Sequence, residues 1–277
     1  MIISAPIILS PEASFFYPPI IADPHAGAAG SIFQGSFSVW RTQDWGGNQA
    51  FLEANCPEFT TSAAQPGCGD FVQIGPPGAT DLGSAAYGAT RLGGAVAWIA
   101  RTTQNTGSMW AATNTGRVFI TENANAAAAS VVWTRLDNLA ANSPPRAISQ
   151  IYVDPANPHH AWISYNGYSV NTAATPGHVF EVTCTPAVTA CTAATWVDRS
   201  YNLPDFPITA VVRDDITGDL YAASDFGVMK LPSATTTWIA AGIGMPMVEV
   251  PGLTIVPEQR LLYAATHGRS AWVLQLP

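Results

Sequence analysis

Short apolar runs alternate with turns rich in glycine, proline, asparagine and aspartate along the whole chain. One form recurs: an aromatic residue, two small residues, a polar turn that contains glycine, and then a second apolar run. Short apolar runs between such turns are typical of β-strands. The pattern therefore predicts an all-β fold of short strands joined by tight turns. Copies of this form occupy residues 32–36, 109–119, 161–167, 220–229 and 261–274.

Each copy follows a further apolar segment, as in residues 151–155, which end in Asp-Pro. Three copies are followed by another apolar segment that carries a tryptophan, Trp133, Trp196 or Trp238, and residues 71–72 are the weaker equivalent after the first copy. This gives four strands per repeat, and the last spacing, Tyr221 to Tyr263, is 42 residues, close to the roughly 40–50 residues of a propeller blade. We predict a β-propeller of five four-stranded blades, roughly residues 11–75, 90–137, 146–199, 207–241 and 252–277.

The two ends of the chain predict how the ring closes. The last repeat stops after its third strand, residues 271–274, whereas an apolar run, residues 2–9, precedes the first repeat. A closed ring has no free edge between its first and last blades. We therefore expect residues 2–9 to form the fourth strand of the last blade, so that residues 1–277 make a single propeller domain.

These repeats also carry a family resemblance. Residues 154–158, 220–228 and 262–272 resemble the repeats of sortilin-like and Asp-box (BNR-type) propellers, found in secreted sialidase-like proteins, xyloglucan-cleaving glycoside hydrolases and sortilin receptors. The Asp-box pattern is S/T-x-D-x-G-x-x-W, and residues 42–46 match its first half without the tryptophan at the usual place. The resemblance implies the architecture, and it leaves activity open, because one propeller fold hosts many functions.

Charge excludes two classes of partner. The net charge is −8, and Lys230 is the only lysine. Binding to nucleic acid or to an anionic membrane needs clustered Lys and Arg, and no apolar run reaches the roughly 20 residues of a membrane span. We predict a monomer whose partner is a glycan, another small polar ligand or a protein.

Four cysteines fall into two close pairs, Cys56 with Cys68 and Cys184 with Cys191. Even numbers of cysteines at local spacing favour two disulfide loops formed in an oxidising compartment, with four free thiols as the alternative. Residues 1–9 lack the basic start of a signal peptide. We therefore predict a secreted or periplasmic protein whose chain, as given, has no signal peptide.

Candidate chemistry lies in the turns that a propeller would bring together at one mouth of its channel. We predict a polar ligand site there. Its carboxylates and imidazole would act as catalytic groups, and its amides, rings and guanidiniums would bind the ligand. We expect no metal or cofactor, because the other histidines do not converge on His267. The candidate catalytic residues are Asp225, Glu249 and His267, and the candidate ligand residues are Asn114, Arg117, Asn166, Tyr168, Phe226 and Arg269.

Each of these residues also has a purely structural interpretation. Asp and His at turns commonly cap the backbone, and Arg117 and Arg269 can form salt bridges between blades. Two functions remain open. The first is carbohydrate recognition by a secreted binding module. The second is a hydrolase: a glycosidase that uses two carboxylates as acid and base, or a metal-assisted ester or phosphoester hydrolase.

Overall fold

A computed structural model describes residues 1–13, 16–25, 27–58, 65–104, 107–186 and 190–277 of the chain. Antiparallel β-sheets account for most of its regular structure. The chain divides into two compact units. Unit 1 is Met1–Leu136 with Pro186–Thr192, and unit 2 is Asp137–Thr185 with Ala193–Pro277.

Unit 1 contains two four-stranded sheets, each with its strands in sequence order. A short helix, α2, follows the third strand of the first sheet, and the Asn48 side chain caps its start by accepting a hydrogen bond from Phe51 N–H. The elements are α1 (Ala5–Ile8), β1 (Ile20–Ala22), β2 (Ile32–Gly35), β3 (Val39–Thr42), α2 (Gln49–Asn55), β4 (Val72–Gln73), β5 (Val96–Ala100), β6 (Met109–Thr113), β7 (Val118–Thr121) and β8 (Thr134–Arg135).

Unit 2 contains most of three further sheets. Two have four strands, and the last has three, in the order β17-β18-β19. The elements are β9 (Ile148–Asp154), β10 (Asn157–Tyr165), β11 (Val179–Pro186), β12 (Cys191–Asp198), β13 (Ile208–Arg213), β14 (Leu220–Ser224), β15 (Gly227–Leu231), β16 (Ile239–Ala240), β17 (Gly252–Val256), β18 (Leu261–Ala265) and β19 (Ala271–Gln275).

The recurring aromatic-small-small segments form the second strand of each sheet. All five residues of β6 and all five of β14 are buried, so these strands are covered on both faces. Alanines on such a strand let neighbouring layers approach closely, while the aromatic residue supplies most of the buried apolar area. The predicted repeat is thus confirmed as a repeated sheet.

The tryptophans that follow three of the repeats lie at the fourth strands. Trp133, Trp196 and Trp238 are 4%, 5% and 2% exposed. Each indole N–H donates a hydrogen bond: Trp133 to Ile74 O (3.0 Å), Trp196 to the Tyr165 hydroxyl (3.2 Å) and Trp238 to Arg199 O (2.8 Å). A large side chain that is buried, and whose polar group is hydrogen-bonded, fixes the outer strand against the core of the sheet.

The predicted closure by residues 2–9 is wrong. Residues 5–8 form the helix α1, with Pro6 in its first turn, and the last sheet has three strands within the described residues. Proline favours the first turn of a helix because its missing N–H needs no partner there. Ile2 N–H donates to Cys56 O and Ala5 N–H to Cys68 O, which holds the segment inside unit 1.

The predicted disulfides are confirmed. Cys56 and Cys68 are joined by a bond that closes the connection between β3 and β4, with a sequence separation of 12. Cys184 and Cys191 are also disulfide-bonded, and no cysteine in the described chain is free. A short covalent loop stabilises a protein mainly by restricting its unfolded chain.

His160 on β10 lies between two carboxylates. Its Nδ1 is 2.9 Å from Asp154 Oδ2 and its Nε2 is 2.7 Å from Glu181 Oε1. Burial lowers the pKa of His160, but the two carboxylates outweigh burial and the net pKa is raised. The hydrogen bond from His160, together with Arg199, lowers the pKa of Glu181 to about 2. Both shifts favour the ionised pair.

We expect this ion pair to give stability a defined pH dependence. The His160 contribution is complete below its ordinary pKa of 6.5 and is lost as pH rises through its raised folded pKa. The Glu181 contribution is present above 4.5 and is lost as pH falls towards 2. His160→Gln should therefore destabilise most between these limits, by roughly 1 kcal/mol. Urea unfolding of both proteins at pH 5.5 and 9 measures this, and a difference that grows with pH would contradict it.

Candidate functional site

The turns after β10, β14 and β18 are linked by contacts to the segments that lead into β13 and β17. We call this set the turn face of unit 2; it comprises residues 166–170, 205–206, 225–226, 249 and 266–270. Ser169 donates to Asp205 through its backbone N–H (2.8 Å) and its hydroxyl (3.0 Å). The rings of Phe206 and Phe226 lie 4.5 Å apart. Val250 N–H donates to Ser224 O (3.1 Å), so the contacts run across three sheets of one unit.

Glu249 and His267 form a pair at one end of this face. His267 Nδ1 lies 2.9 Å from Glu249 Oε2, and His267 N–H donates to Glu249 O at 2.9 Å. The two side chains are 78% and 45% exposed. The backbone bond holds the turn in place, while the imidazole and the carboxylate remain open to a ligand.

Asp225 lies on the β14–β15 turn next to this pair. Burial, and then the negative charge of Glu249, raise the pKa of Asp225. The turn is closed by Phe226 N–H, which donates to the Ser224 hydroxyl, and by Gly227 with φ +106°. Because the Ser224 hydroxyl caps this turn, the Asp225 carboxyl is not needed to cap it. A carboxyl whose pKa is raised by burial and by a neighbouring carboxylate is a group that acid–base chemistry can use.

Two exposed aromatic rings lie on the turn face of unit 2. Tyr168 is 52% exposed and Phe226 is 44% exposed, well above the exposure of the core aromatics. Flat, exposed rings next to hydrogen-bonding groups are suited to ligands with both an apolar face and a polar edge. The structure therefore brings Tyr168, Phe226, Asp225, Glu249 and His267 to one run of connected turns.

A polar cluster made of Arg146, His178 and Asp205 contacts the β10–β11 turn. Arg146, 7% exposed, donates to Gly167 O (3.2 Å) and to His178 Nδ1 (3.2 Å), and His178 Nε2 lies 2.9 Å from Asp205 Oδ1. Burial and the Arg146 charge lower the pKa of His178. Because Arg146 can only donate, His178 Nδ1 accepts its hydrogen bond and Nε2 donates to Asp205.

Sequence reasoning missed the part that His178 plays. It precedes the apolar run of β11, and nothing in its neighbours indicates that Arg146 and Asp205, 32 and 27 residues away, meet its ring. A buried histidine between a cation and a carboxylate positions the elements that carry them. This cluster therefore sets where Asn166 and Tyr168 are presented.

Two other predicted ligand residues of unit 2 have backbone contacts. Asn166 is exposed, and its Oδ1 accepts a hydrogen bond from Gly167 N–H (2.8 Å), as expected of a turn-capping residue. Arg269 is exposed, and its carbonyl accepts a hydrogen bond from the Trp272 indole (3.1 Å). Both side chains lie on the turn face of unit 2.

Arg117 in unit 1 requires a correction. It is fully buried, and its guanidinium donates to the carbonyls of Leu82, Ser84, Gly88 and Thr90 at 2.7–3.0 Å. A guanidinium that is surrounded by backbone carbonyls organises the loop that supplies them. We therefore leave Arg117 out of the proposed site.

Asn114 lies on the same β6–β7 turn of unit 1. Its N–H donates to Ala95 O (3.0 Å). Its side-chain Oδ1 is buried and has no hydrogen-bond partner among the described residues. A buried acceptor of this kind is uncommon in folded proteins.

Comparison with known proteins bears on the fold. No protein-family model matches the chain, and no curated protein matches it. The Cps50 (Swd1) β-propeller domain of Myceliophteria thermophila matches with a TM-score of 0.53 and 11% identity, over 96% of this chain and 68% of that one. The fold is a β-propeller. Among the described residues, no helix has the length and apolar character needed to cross a membrane.

Two further structures agree. The extracellular domain assigned to the hybrid two-component system BT3049 of B. thetaiotaomicron matches with a TM-score of 0.58 and 10% identity, over 95% of this chain. YCF48 of Cyanidioschyzon merolae matches with a TM-score of 0.53 and 12% identity, over 90% of this chain. The propeller chain spans 28% and 66% of those two proteins. Identities this low concern the fold alone.

Proposed function

We propose that this β-propeller is a secreted protein that binds a carbohydrate on the turn face of unit 2. Each of its five sheets would be one blade. Asp225, Glu249 and His267 would hydrogen-bond the ligand's hydroxyl groups, and Tyr168 and Phe226 would stack on its apolar faces. The single observation that supports this most is the Glu249–His267 pair, exposed beside Asp225 and a pair of aromatic rings.

The remaining candidate residues have lesser parts in this proposal. Asn166 and Arg269 would contact the ligand from the two outer turns of the same face. Asn114 stays a candidate in unit 1, since its buried amide oxygen has no protein partner within the described chain. The proposed secretion is supported by the two disulfides, which persist in oxidising compartments.

A second function, glycoside hydrolysis, is supported by the raised pKa of Asp225. A carboxyl with a raised pKa can donate a proton to a leaving group, while a second carboxyl acts as base or nucleophile. Asp225 would be the acid and Glu249 the base in that reaction, with His267 orienting Glu249. A metal-assisted esterase or phosphoesterase is a weaker form of the same hypothesis.

We expect Asp225→Asn to weaken glycan binding by about tenfold, the effect of losing one charged hydrogen bond of about 1.4 kcal/mol. A glycan array identifies the ligand, and titration of wild type and variant then measures the loss. The double variant Asp225→Ala/His267→Ala should abolish binding. Glu258→Gln, an exposed carboxylate in the β17–β18 connection, is the matched control and should bind normally.

A panel of glycoside, ester and phosphoester substrates, with and without a chelator, separates the two functions. Turnover that Asp225→Asn removes would favour the hydrolase, whereas glycan binding without turnover favours the binding module. If the double variant bound glycans as tightly as Glu258→Gln, the turn face of unit 2 would not be the site.

A further inference from the structure

The last sheet of unit 2 has a free edge on β19. Leu276 N–H donates to Arg260 O (2.8 Å) at the end of the β18–β19 ladder. Since hydrogen-bonded positions recur every second residue in an antiparallel ladder, the odd-numbered residues of β19 direct their N–H and C=O groups away from β18. These residues are Ala271, Val273 and Gln275. Their outward groups have no hydrogen-bond partner within the described part of the chain.

An apolar groove runs beside this edge. Its volume is about 210 Å³, and no charged residue lines it. Several of its residues are strongly exposed, among them Ile243 (105%), Met247 (78%) and Val273 (57%). Methionine-rich apolar surfaces adapt to the shape of the side chains they receive. The lining includes Phe226, Met229, Met245, Leu262, Ala264 and Leu274.

The neighbouring sheet shows what this groove is shaped to hold. In the sheet β13–β16 the buried Trp238 packs with Leu220, Ala222 and Leu231. The repeat aligns these three residues with Leu262, Ala264 and Leu274 of the last sheet, because Leu220 pairs with Leu231 as Leu262 pairs with Leu274. All three counterparts line the groove. The groove is therefore the equivalent of the Trp238 site, one sheet further along.

The strand register also indicates that a tryptophan would lie over this groove. In the neighbouring sheet Ile239 on β16 pairs with Lys230 on β15, and the ladder is antiparallel. Val273 is the counterpart of Lys230 in the last sheet, so a strand added beside β19 would place its isoleucine opposite Val273. The preceding tryptophan would then lie opposite Leu274, over the groove.

We propose that β19 and this groove bind an extended segment of another polypeptide, in which a tryptophan is followed by a β-branched residue. The segment would add to the sheet as an antiparallel strand, with main-chain hydrogen bonds supplying affinity and the tryptophan supplying specificity. Its groove-facing side chains must be apolar, because the lining offers no charge. This site shares Phe226 with the proposed carbohydrate site but takes a different class of ligand.

A second copy of the chain is less suited to β19 and this groove than a separate extended segment. The β19 strand of another copy carries Leu274 on the face that already packs into its own core, with Leu262 and Ala264. That strand therefore cannot turn the same side chains into a neighbour's groove. A separate, unfolded segment has no such competing contact.

The chain itself supplies the probe for a test. A fluorescein-labelled peptide with the sequence of residues 234–241, which contains Trp238, should bind the full chain saturably in a fluorescence polarisation titration. Replacing its tryptophan with alanine should weaken binding by about tenfold or more, because most of the buried area is lost. Absence of saturable binding, or equal binding of the alanine peptide, would overturn the proposal.

Two variants of the protein locate the site. Met247→Asp places a charge in the groove and should weaken peptide binding by about tenfold. Val273→Pro removes an outward N–H without breaking the β18 ladder and should weaken it similarly. Ile216→Asp, a 70% exposed position in the β13–β14 connection, is the control and should bind normally. Melting curves check that each variant is folded.

Light scattering tests the alternative in which a second copy of the chain occupies the β19 edge. The wild-type protein should remain a monomer at the protein concentrations that saturate the labelled peptide. A dimer that Met247→Asp disperses would mean that a second copy occupies the edge, and it would overturn the proposal. Undiminished peptide binding by folded Met247→Asp and Val273→Pro would overturn it as well.

Discussion

Arg117→Leu is expected to lower the free energy of unfolding by about 3–5 kcal/mol. The fully buried guanidinium donates to four backbone carbonyls of the loop at residues 82–90, and each buried acceptor left without a donor costs about 1–3 kcal/mol. Part of that cost is offset because the variant no longer buries a charge. Denaturant unfolding followed by tryptophan fluorescence measures the change.

Two controls show whether the carbonyl contacts carry this effect. Arg117→Lys keeps the positive charge but has a single, compact donor group, so it should recover only a small part of the stability. Arg269→Leu removes an exposed guanidinium and should change stability by less than about 0.5 kcal/mol. If Arg117→Leu were as stable as Arg269→Leu, Arg117 would not organise the loop.

The repeat could be predicted because its determinants are local. Strand β14 and strand β18 share the order Leu, Tyr, Ala, Ala, and each pairs with the strand after its glycine turn. Alternation, turn glycines and aromatic spacing all lie within one repeat of the sequence. The four-stranded sheets and the buried tryptophans therefore follow from patterns of a few residues.

The N-terminal segment could not be predicted in the same way. A short apolar run is compatible with either a strand or a buried helix, and its partners decide between them. Here the partners are distant in sequence: Ile7 packs with Trp40 and Phe71, and Ala5 packs with Leu52 and the cysteines. Pro6 is the local signal for a helix start.

The turn residues show a mixed outcome for a similar reason. Glu249 and His267 are hydrogen-bonded, and burial and the charge of Glu249 raise the pKa of Asp225; that the three residues form a site stays a prediction. Arg117 follows the same kind of turn but is buried. Its partners are carbonyl groups, which every residue has, so no pattern of side chains could reveal them.

Gly69→Ala in unit 1 should lower the free energy of unfolding by about 3–5 kcal/mol. Gly69 has φ +124°, a region that costs other residues about 1–3 kcal/mol. A Cβ there would also collide with the backbone carbonyl group of Ile3, whose carbon would lie 2.6 Å away, and overpacking of this kind adds about 1–3 kcal/mol. Residue 3 must then move, which breaks the bond from Ala5 N–H to Cys68 O.

Gly47→Ala separates the collision from the backbone strain. Gly47 has nearly the same φ, +121°, but a Cβ there would meet only the Asp70 side chain at 3.9 Å. Gly47→Ala should therefore lower the free energy of unfolding through the backbone strain alone, by about 1–3 kcal/mol. In Gly69→Ala, amide exchange of residues 2–9 should be much faster than in Gly47→Ala, because their docking is lost. Equal exchange and equal stability in the two variants would show that Ile3 does not pack against Gly69.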